Sequence, residues 1–325
     1  MRGRKLIGYT AVTIAALALA PAAALAQAYP NKPVRIIVPF AAGGPADVYA
    51  RVLGQRLQEA LGQVFVVDDR PGAGSLVGTE AVAKAAPDGY TLLMMSNTHA
   101  INESLIPDKP YQLMRDFSPI APVNYSDLVL VVHPSVAANS LKELVALAKA
   151  NPRLLNYASS GPGTPYHMAG ELFKAMADVD IVHVPYKGSS GARTDVLGGQ
   201  VQMMFDAIST MAPNVRAGKL KALGTTGKVR SAVLPEVPTV AEAGVPGYDA
   251  VIWLGLMAPA GTPKPVIERL NAEVRRIVAM PEVKEAWAKQ GVETMSMSVD
   301  GFSQFLREDI TKWAGVVKRS GAKVD

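Results

Sequence analysis

Val34-Arg35-Ile36-Ile37-Val38-Pro39-Phe40-Ala41-Ala42-Gly43-Gly44-Pro45-Ala46-Asp47 opens on a β-rich apolar run, breaks at a glycine pair and enters a helical pattern that continues to Leu61. This is strand, glycine turn, helix. The unit recurs as a strand over 64–67, the turn Pro71-Gly72-Ala73-Gly74, a helix over 75–85 and a strand over 90–95. It recurs again past mid-chain, where Asn156-Tyr157-Ala158-Ser159 leads into Ser160-Gly161-Pro162-Gly163-Thr164-Pro165 and a helix over 166–176. Strands alternating with helices predict an α/β fold of parallel sheets covered on both faces, here two similar sheets in one chain. Further strands are expected over 128–132, 181–184, 201–205 and 251–256. Lys187-Gly188-Ser189-Ser190-Gly191 opens a helix between two of them, and Ser140 can cap a helix over 141–150. The tail beyond 258 reads as amphipathic helices with too few strands for a third domain, and is expected to pack back on the first sheet.

The chain has 325 residues, 49% of them hydrophobic and 19% charged, the mixture of an ordinary globular protein of about two domains. Cysteine is absent, which excludes disulfides, thiolate metal sites and a cysteine nucleophile. Arg2, Arg4 and Lys5 precede an apolar run over 9–20, and small residues follow to Ala24-Leu25-Ala26, the three regions of a secretory signal. Residues 1–26 are therefore expected to be a removed leader. The run contains Thr10 and Thr13, ends at Pro21, and falls short of the roughly 20 residues that span a bilayer. Without the three leader cations the formal charge drops from +5 to +2, so nucleic-acid binding loses its main support. The mature chain is expected to be exported, and periplasmic in a Gram-negative cell.

Enzyme signatures are sparse: there is no GxxxxGK[ST] loop, HExxH, GxSxG or calcium loop. His99, His133, His167 and His183 are scattered, with no spacing that implies a metal site. The informative features are the glycine loops at 41–45 and 159–165, each closing a strand and opening a helix. Helix N-termini present unpaired N–H groups and the positive dipole end, which together suit an anion, and glycine lets a ligand approach the backbone. Two such loops in separate sheets could grip a small anion from opposite walls of a cleft. They could equally be ordinary turns with serine caps. Gly72-Ala73-Gly74-Ser75 is read as a structural turn, because its glycine spacing misses the dinucleotide fingerprint. Ser96, Asn97 and Thr98 follow a strand end and could line the cleft or cap a turn. Lys187 could face a carboxylate or solvent, and Asp206 could meet a ligand or cap a helix. Trp253 is read as packing at a crossover.

At these residues the sequence resembles the Bug family of periplasmic solute-binding receptors of tripartite tricarboxylate transporters. The likeness is carried by residues 33–40 with Gly43-Gly44 and Asp47, by Arg70-Pro71-Gly72-Ala73-Gly74, and by Ala86-Pro87-Asp88-Gly89-Tyr90. It continues through Ser160-Gly161, Gly163-Thr164 and His167, Val184-Pro185-Tyr186-Lys187-Gly188, Phe205-Asp206, residues 237–244 and residues 258–263. The resemblance implies a type II periplasmic-binding-protein fold, with lobe 1 formed by 27–126 plus 251–325 and lobe 2 by 127–250. It also implies a ligand shell drawn from Phe40, Ala41, Ala42, Gly43, Gly44 and Asp47 on one side and Ser159, Ser160, Gly161, Gly163, Thr164 and His167 on the other. Ser96, Asn97, Lys187, Gly188 and Asp206 complete the candidate site. Ala41-Ala42 departs from the proline found in many relatives. The implied ligand is a small organic carboxylate, the implied partners are integral membrane permease subunits, and no cofactor or metal is expected; the chain is expected to be a monomer. Two other readings stand beside it: an exported hydrolase-like enzyme using His167 with Ser159 or Ser160, and a sensory ligand-binding subunit.

Overall fold

The computed structural model describes residues 29–323, so the expected leader lies outside the described residues. In chain order the elements are β1 (Val34–Val38), α1 (Pro45–Leu61), β2 (Phe65–Asp69), a 3-10 turn (Ala73–Ser75), α2 (Leu76–Ala83), β3 (Thr91–Ser96) and α3 (Asn97–Leu105). Then come α4 (Leu113–Asp116), β4 (Phe117–Val132), α5 (Leu141–Ala150), β5 (Asn156–Ser159), α6 (Pro165–Ala177), β6 (Val182–Pro185), α7 (Ser189–Leu197), β7 (Met203–Ala207), α8 (Ile208–Arg216) and β8 (Lys221–Thr225). The chain ends through β9 (Val251–Pro259), α9 (Lys264–Ala279), α10 (Pro281–Ala288), β10 (Val292–Thr294) and α11 (Val299–Ser320).

The α/β expectation holds, with two differences: the sheets are mixed rather than parallel, since β3–β9 and every pairing of β4 are antiparallel, and they join differently. The strands form one hydrogen-bonded path, β2-β1-β3-β9-β4-β7-β5-β6, because β4 is long enough to serve both halves. It pairs antiparallel with β9 from Phe117 to Asp127 and with β7 from Leu128 to Val132. Only the second part was legible. Pro119 and Pro122 interrupt the apolar pattern of the first part, and the register of the β4–β9 pair shifts at both, where a residue without an N–H cannot keep the ladder.

On each half the strands are covered on both faces, so neighbouring residues enter different cores. Ile36 joins a cluster with Tyr49, Leu53 and Leu270, whereas Ile37 joins one with Leu93, Met257 and Phe302. In the other half, Leu130 packs with Tyr157, Phe173 and Phe205, and Val129 with Val196, Met204 and Met211. Each such side chain contributes roughly 1.5–3 kcal/mol on burial. The tail packs on the first sheet half through Ile267, Leu270 and Val274 of α9, as expected. Helix α11 goes further: Phe302 and Leu306 pack with Ile37 and Leu93, while Trp313 and Val316 join the cluster of Tyr157 and Phe173.

Candidate ligand cleft

The glycine turns of both halves open toward one cavity of about 580 Å³. On one wall, β1 ends and α1 begins at Gly44, which has no side-chain cap and is followed by Pro45. Gly43, at φ +75°, turns its N–H onto Asp47 Oδ2 at 2.8 Å, and Asp47 in turn pairs with Arg51 Nε at 2.6 Å. Asp47 thus fixes the loop from behind. The exposed face of this wall is Phe40, Ala41, Ala42 and Gly44.

On the opposite wall the β5–α6 loop is tied to itself. Ser159 Oγ accepts the Gly161 N–H at 3.1 Å, Thr164 Oγ1 donates to Gly161 O at 2.7 Å, and Gly163 N–H donates to His167 Nδ1 at 3.1 Å. Gly161 and Gly163 hold φ of +129° and +71°, which favours glycine. Ser160, Gly161 and Thr164 face the cavity. Beside them α7 begins at Gly188, again without a side-chain cap, and Lys187, Gly188, Ser189 and Ser190 line the space. The two walls nearly touch: a Cβ on Gly188 would lie 3.5 Å from Ala41 Cβ, and one on Gly74 would lie 3.4 Å from Pro162 O.

Of the residues singled out from sequence, Phe40, Ala41, Ala42, Gly44, Ser96, Thr98, Ser160, Gly161, Thr164, Lys187 and Gly188 line the cavity. The others stand behind it. Gly43 and Asp47 brace the first loop, and Ser159, Gly163 and His167 brace the second. Asn97 Nδ2 donates to Val251 O at 3.0 Å. Asp206 is fully buried and engaged by Arg193 Nε at 2.7 Å and by the Ala207 N–H at 2.8 Å. Burial pushes the Asp206 carboxyl up and the Arg193 guanidinium opposes that shift. Arg193 also donates to Ser189 Oγ at 3.0 Å, so the pair steadies a cavity-lining hydroxyl.

Several lining residues escaped the sequence reading. Pro71, Gly72, Ala73, Gly74 and Ser75 form part of the wall, although the stretch read as a structural turn. It is the second strand–glycine–helix junction of the chain, and that repetition was the available signal. Tyr166, Tyr186, Ile252 and Leu254 had none, since each reads as a core residue until the strands are placed. The hydroxyls of Thr98 and Tyr166, both in the wall, have no hydrogen-bond partner among the described residues.

The hydrolase-like reading does not survive. His167 Nδ1 is occupied by the Gly163 N–H, and Ser159 Oγ lies 2.6 Å from His183 Nε2 instead. Ser159 is fully buried behind the wall, away from any substrate. Burial lowers His167 to about 4, and burial together with the neighbouring His167 lowers His183 to about 3, well below a general base poised for neutral pH.

Two α/β halves meeting over a cleft lined by helix N-termini define a solute-binding receptor. The family profile described as tripartite tricarboxylate transporter family receptor (TctC) matches residues 49–322, and the chain belongs to that family of receptors, which are not enzymes. Protein BugT of Bordetella pertussis is 39% identical over 326 residues, covering all of both chains. Among solved structures, R. palustris Rpa4515 with adipate superposes with a TM-score of 0.87 at 33% identity, covering 91% of this chain and all of the other. MatC from Rhodopseudomonas palustris with bound malate gives 0.83 at 32% identity, over 89% of this chain and all of its own.

Proposed function

We propose that this chain is the extracytoplasmic receptor of a tripartite tricarboxylate-type transporter, capturing a small organic carboxylate between its lobes and presenting the closed form to membrane permease subunits. The observation that carries the reading is the meeting of two uncapped helix N-termini, those of α1 and α7, across one cavity. Adipate and malate in two relatives of similar fold support a carboxylate as the ligand class. Charge-assisted hydrogen bonds of about 1.5–3 kcal/mol each, from a few backbone N–H groups, suffice for micromolar affinity.

In this reading lobe 1 is 27–126 plus 251–325 and lobe 2 is 127–250, with the change of partners within β4 between Asp127 and Leu128 as one crossover. The seventeen residues named from sequence divide into a contact set on the cavity and a bracing set behind it. The receptor works as a periplasmic monomer once residues 1–26 are removed. No described helix is long and apolar enough to cross a membrane.

The test is thermal shift of refolded residues 27–325 against mono-, di- and tricarboxylates, aromatic acids and amino acids. A ligand of the native state raises the melting temperature with its concentration. One carboxylate class should shift it and remain unconsumed over hours; no shift from any acid, with refolding verified, would remove the proposal.

A further inference from the structure

Behind the Ser160–Thr164 wall two imidazoles lie face to face. The rings of His167 and His183 are 4.1 Å apart at 25°, and Tyr157 stacks on His183 at 4.9 Å. Tyr157 comes from β5, His167 from the first turn of α6 and His183 from β6, so the three elements around the β5–α6 loop meet at this stack. Each imidazole holds one end of the loop. His183 Nε2 lies 2.6 Å from the Ser159 Oγ that accepts the Gly161 N–H, and His167 Nδ1 accepts the Gly163 N–H directly.

The charged and titratable groups around the stack are few. From α6, Glu171 Oε1 lies 4.0 Å from His167 Nε2 and is bound by Lys174 Nζ at 2.9 Å. From β5, the Tyr157 hydroxyl donates to the same oxygen at 2.6 Å. On β7, Asp206 is held by Arg193. From α3, the neighbours of Gly163 are Asn102 and Leu105, which do not titrate. Glu171 is thus already committed to Lys174 and Tyr157, and the rings, His167 buried and His183 half-buried, have little to favour a positive charge.

We propose that His167 and His183 are positioning residues of the ligand loop: as neutral rings they hold Gly163 and, through Ser159, Gly161 in the binding shape, and protonation of His167 releases both loop and ligand. The proposal rests on the reading of this loop as one wall of the binding site. A neutral His167 that accepts at Nδ1 carries its proton on Nε2, toward Glu171. A second proton must go to Nδ1, where it meets the Gly163 N–H, and that amide is left without an acceptor. His183 responds differently, because the Ser159 hydroxyl can turn to Gly161 O, 3.2 Å away, and let the ring donate instead. His167 is therefore the ring that opens the latch, while burial and the Lys174 ammonium oppose its charging. With both rings pushed down, to about 4 and about 3, the latch stays shut at neutral pH and opens only in acid.

The experiment follows the two rings and the Gly163 amide by NMR from pH 7.5 to 3, with far-UV circular dichroism as the control for the fold, and measures the affinity for adipate and for malate over the same range, expressed for the fully ionised acid so that the ligand's own protonation is divided out. The Gly163 amide should shift with the midpoint of the His167 ring, and affinity should fall at least tenfold through that midpoint while the dichroism holds. His167→Asn, whose Oδ1 stands where Nδ1 stood and does not titrate, should keep neutral-pH affinity within about threefold and lose the acid limb; His167→Ala should lose tenfold or more at every pH. Affinity that stays flat through the His167 titration, an acid limb that persists in H167N, or a Gly163 amide that ignores the ring would each overturn the proposal. If the asparagine variant does not fold, the wild-type amide and ring titrations still decide. If neither acid binds at pH 7.5, those titrations again decide the latch, and what fails is the reading of the cleft.

Discussion

Gly163 packs where no other residue fits. Its φ of +71° disfavours a side chain, and a Cβ there would lie 2.9 Å from both Asn102 Oδ1 and Leu105 Cδ2 on α3. Gly163→Val is expected to weaken carboxylate binding tenfold or more and to cost about 1–3 kcal/mol of stability by overpacking, measured by calorimetry and urea unfolding. Unchanged affinity would move the site elsewhere. Arg193 offers a second test, because Asp206 is fully buried and depends on it. Arg193→Met leaves that carboxylate without its counter-charge and should destabilise by about 3–5 kcal/mol; adding Asp206→Leu should return most of the loss. A single variant as stable as wild type would show that the pair contributes nothing. The glycine loops were legible residue by residue because backbone conformation and helix starts leave local marks. The roles of Asp206 and Ser159 were not, since their partners Arg193 and His183 are 13 and 24 positions away in the chain.

At the scale of elements, every strand–glycine–helix unit was readable from period and punctuation, and the long β4 was not. Its prolines hide a strand whose pairing with β9 comes from tertiary context. The close fit of β9 to the tail was equally invisible: a Cβ on Gly255 would come close to the Phe302 ring and 3.2 Å from Ala121 O. Helix α11 read simply as amphipathic, but its apolar face serves two cores in succession. Trp313, 1% exposed, is the large residue of the second. Trp313→Ala should therefore cost about 3–5 kcal/mol in urea unfolding. A loss below about 1 kcal/mol would mean that the end of α11 does not pack on the half containing β5 and α6.

For the whole molecule, buried titratable groups set the response to acid. Burial pushes His99 and His167 down to about 4, and His183 falls to about 3. Between about pH 6.5 and these values the unfolded chain binds up to three protons that the folded chain refuses, so stability falls as pH falls. Asp127 and Asp309 act in the opposite sense, because burial raises both to about 6 and the folded chain takes their protons first. Unfolding free energy should accordingly decline from pH 6.5 to 5, with the two carboxyls offsetting part but not all of the loss, as urea titrations at half-unit steps would show. Constant or rising stability from pH 6.5 to 5 would contradict the buried neutral histidines. The central claim is that helix N-termini from both lobes bind a carboxylate, and calorimetry with the best acid of the panel and its neutral primary amide tests it most directly. The acid should bind roughly 100-fold tighter, the equivalent of about 2.7 kcal/mol from one or two charge-assisted hydrogen bonds. Equal affinity for acid and amide would contradict it.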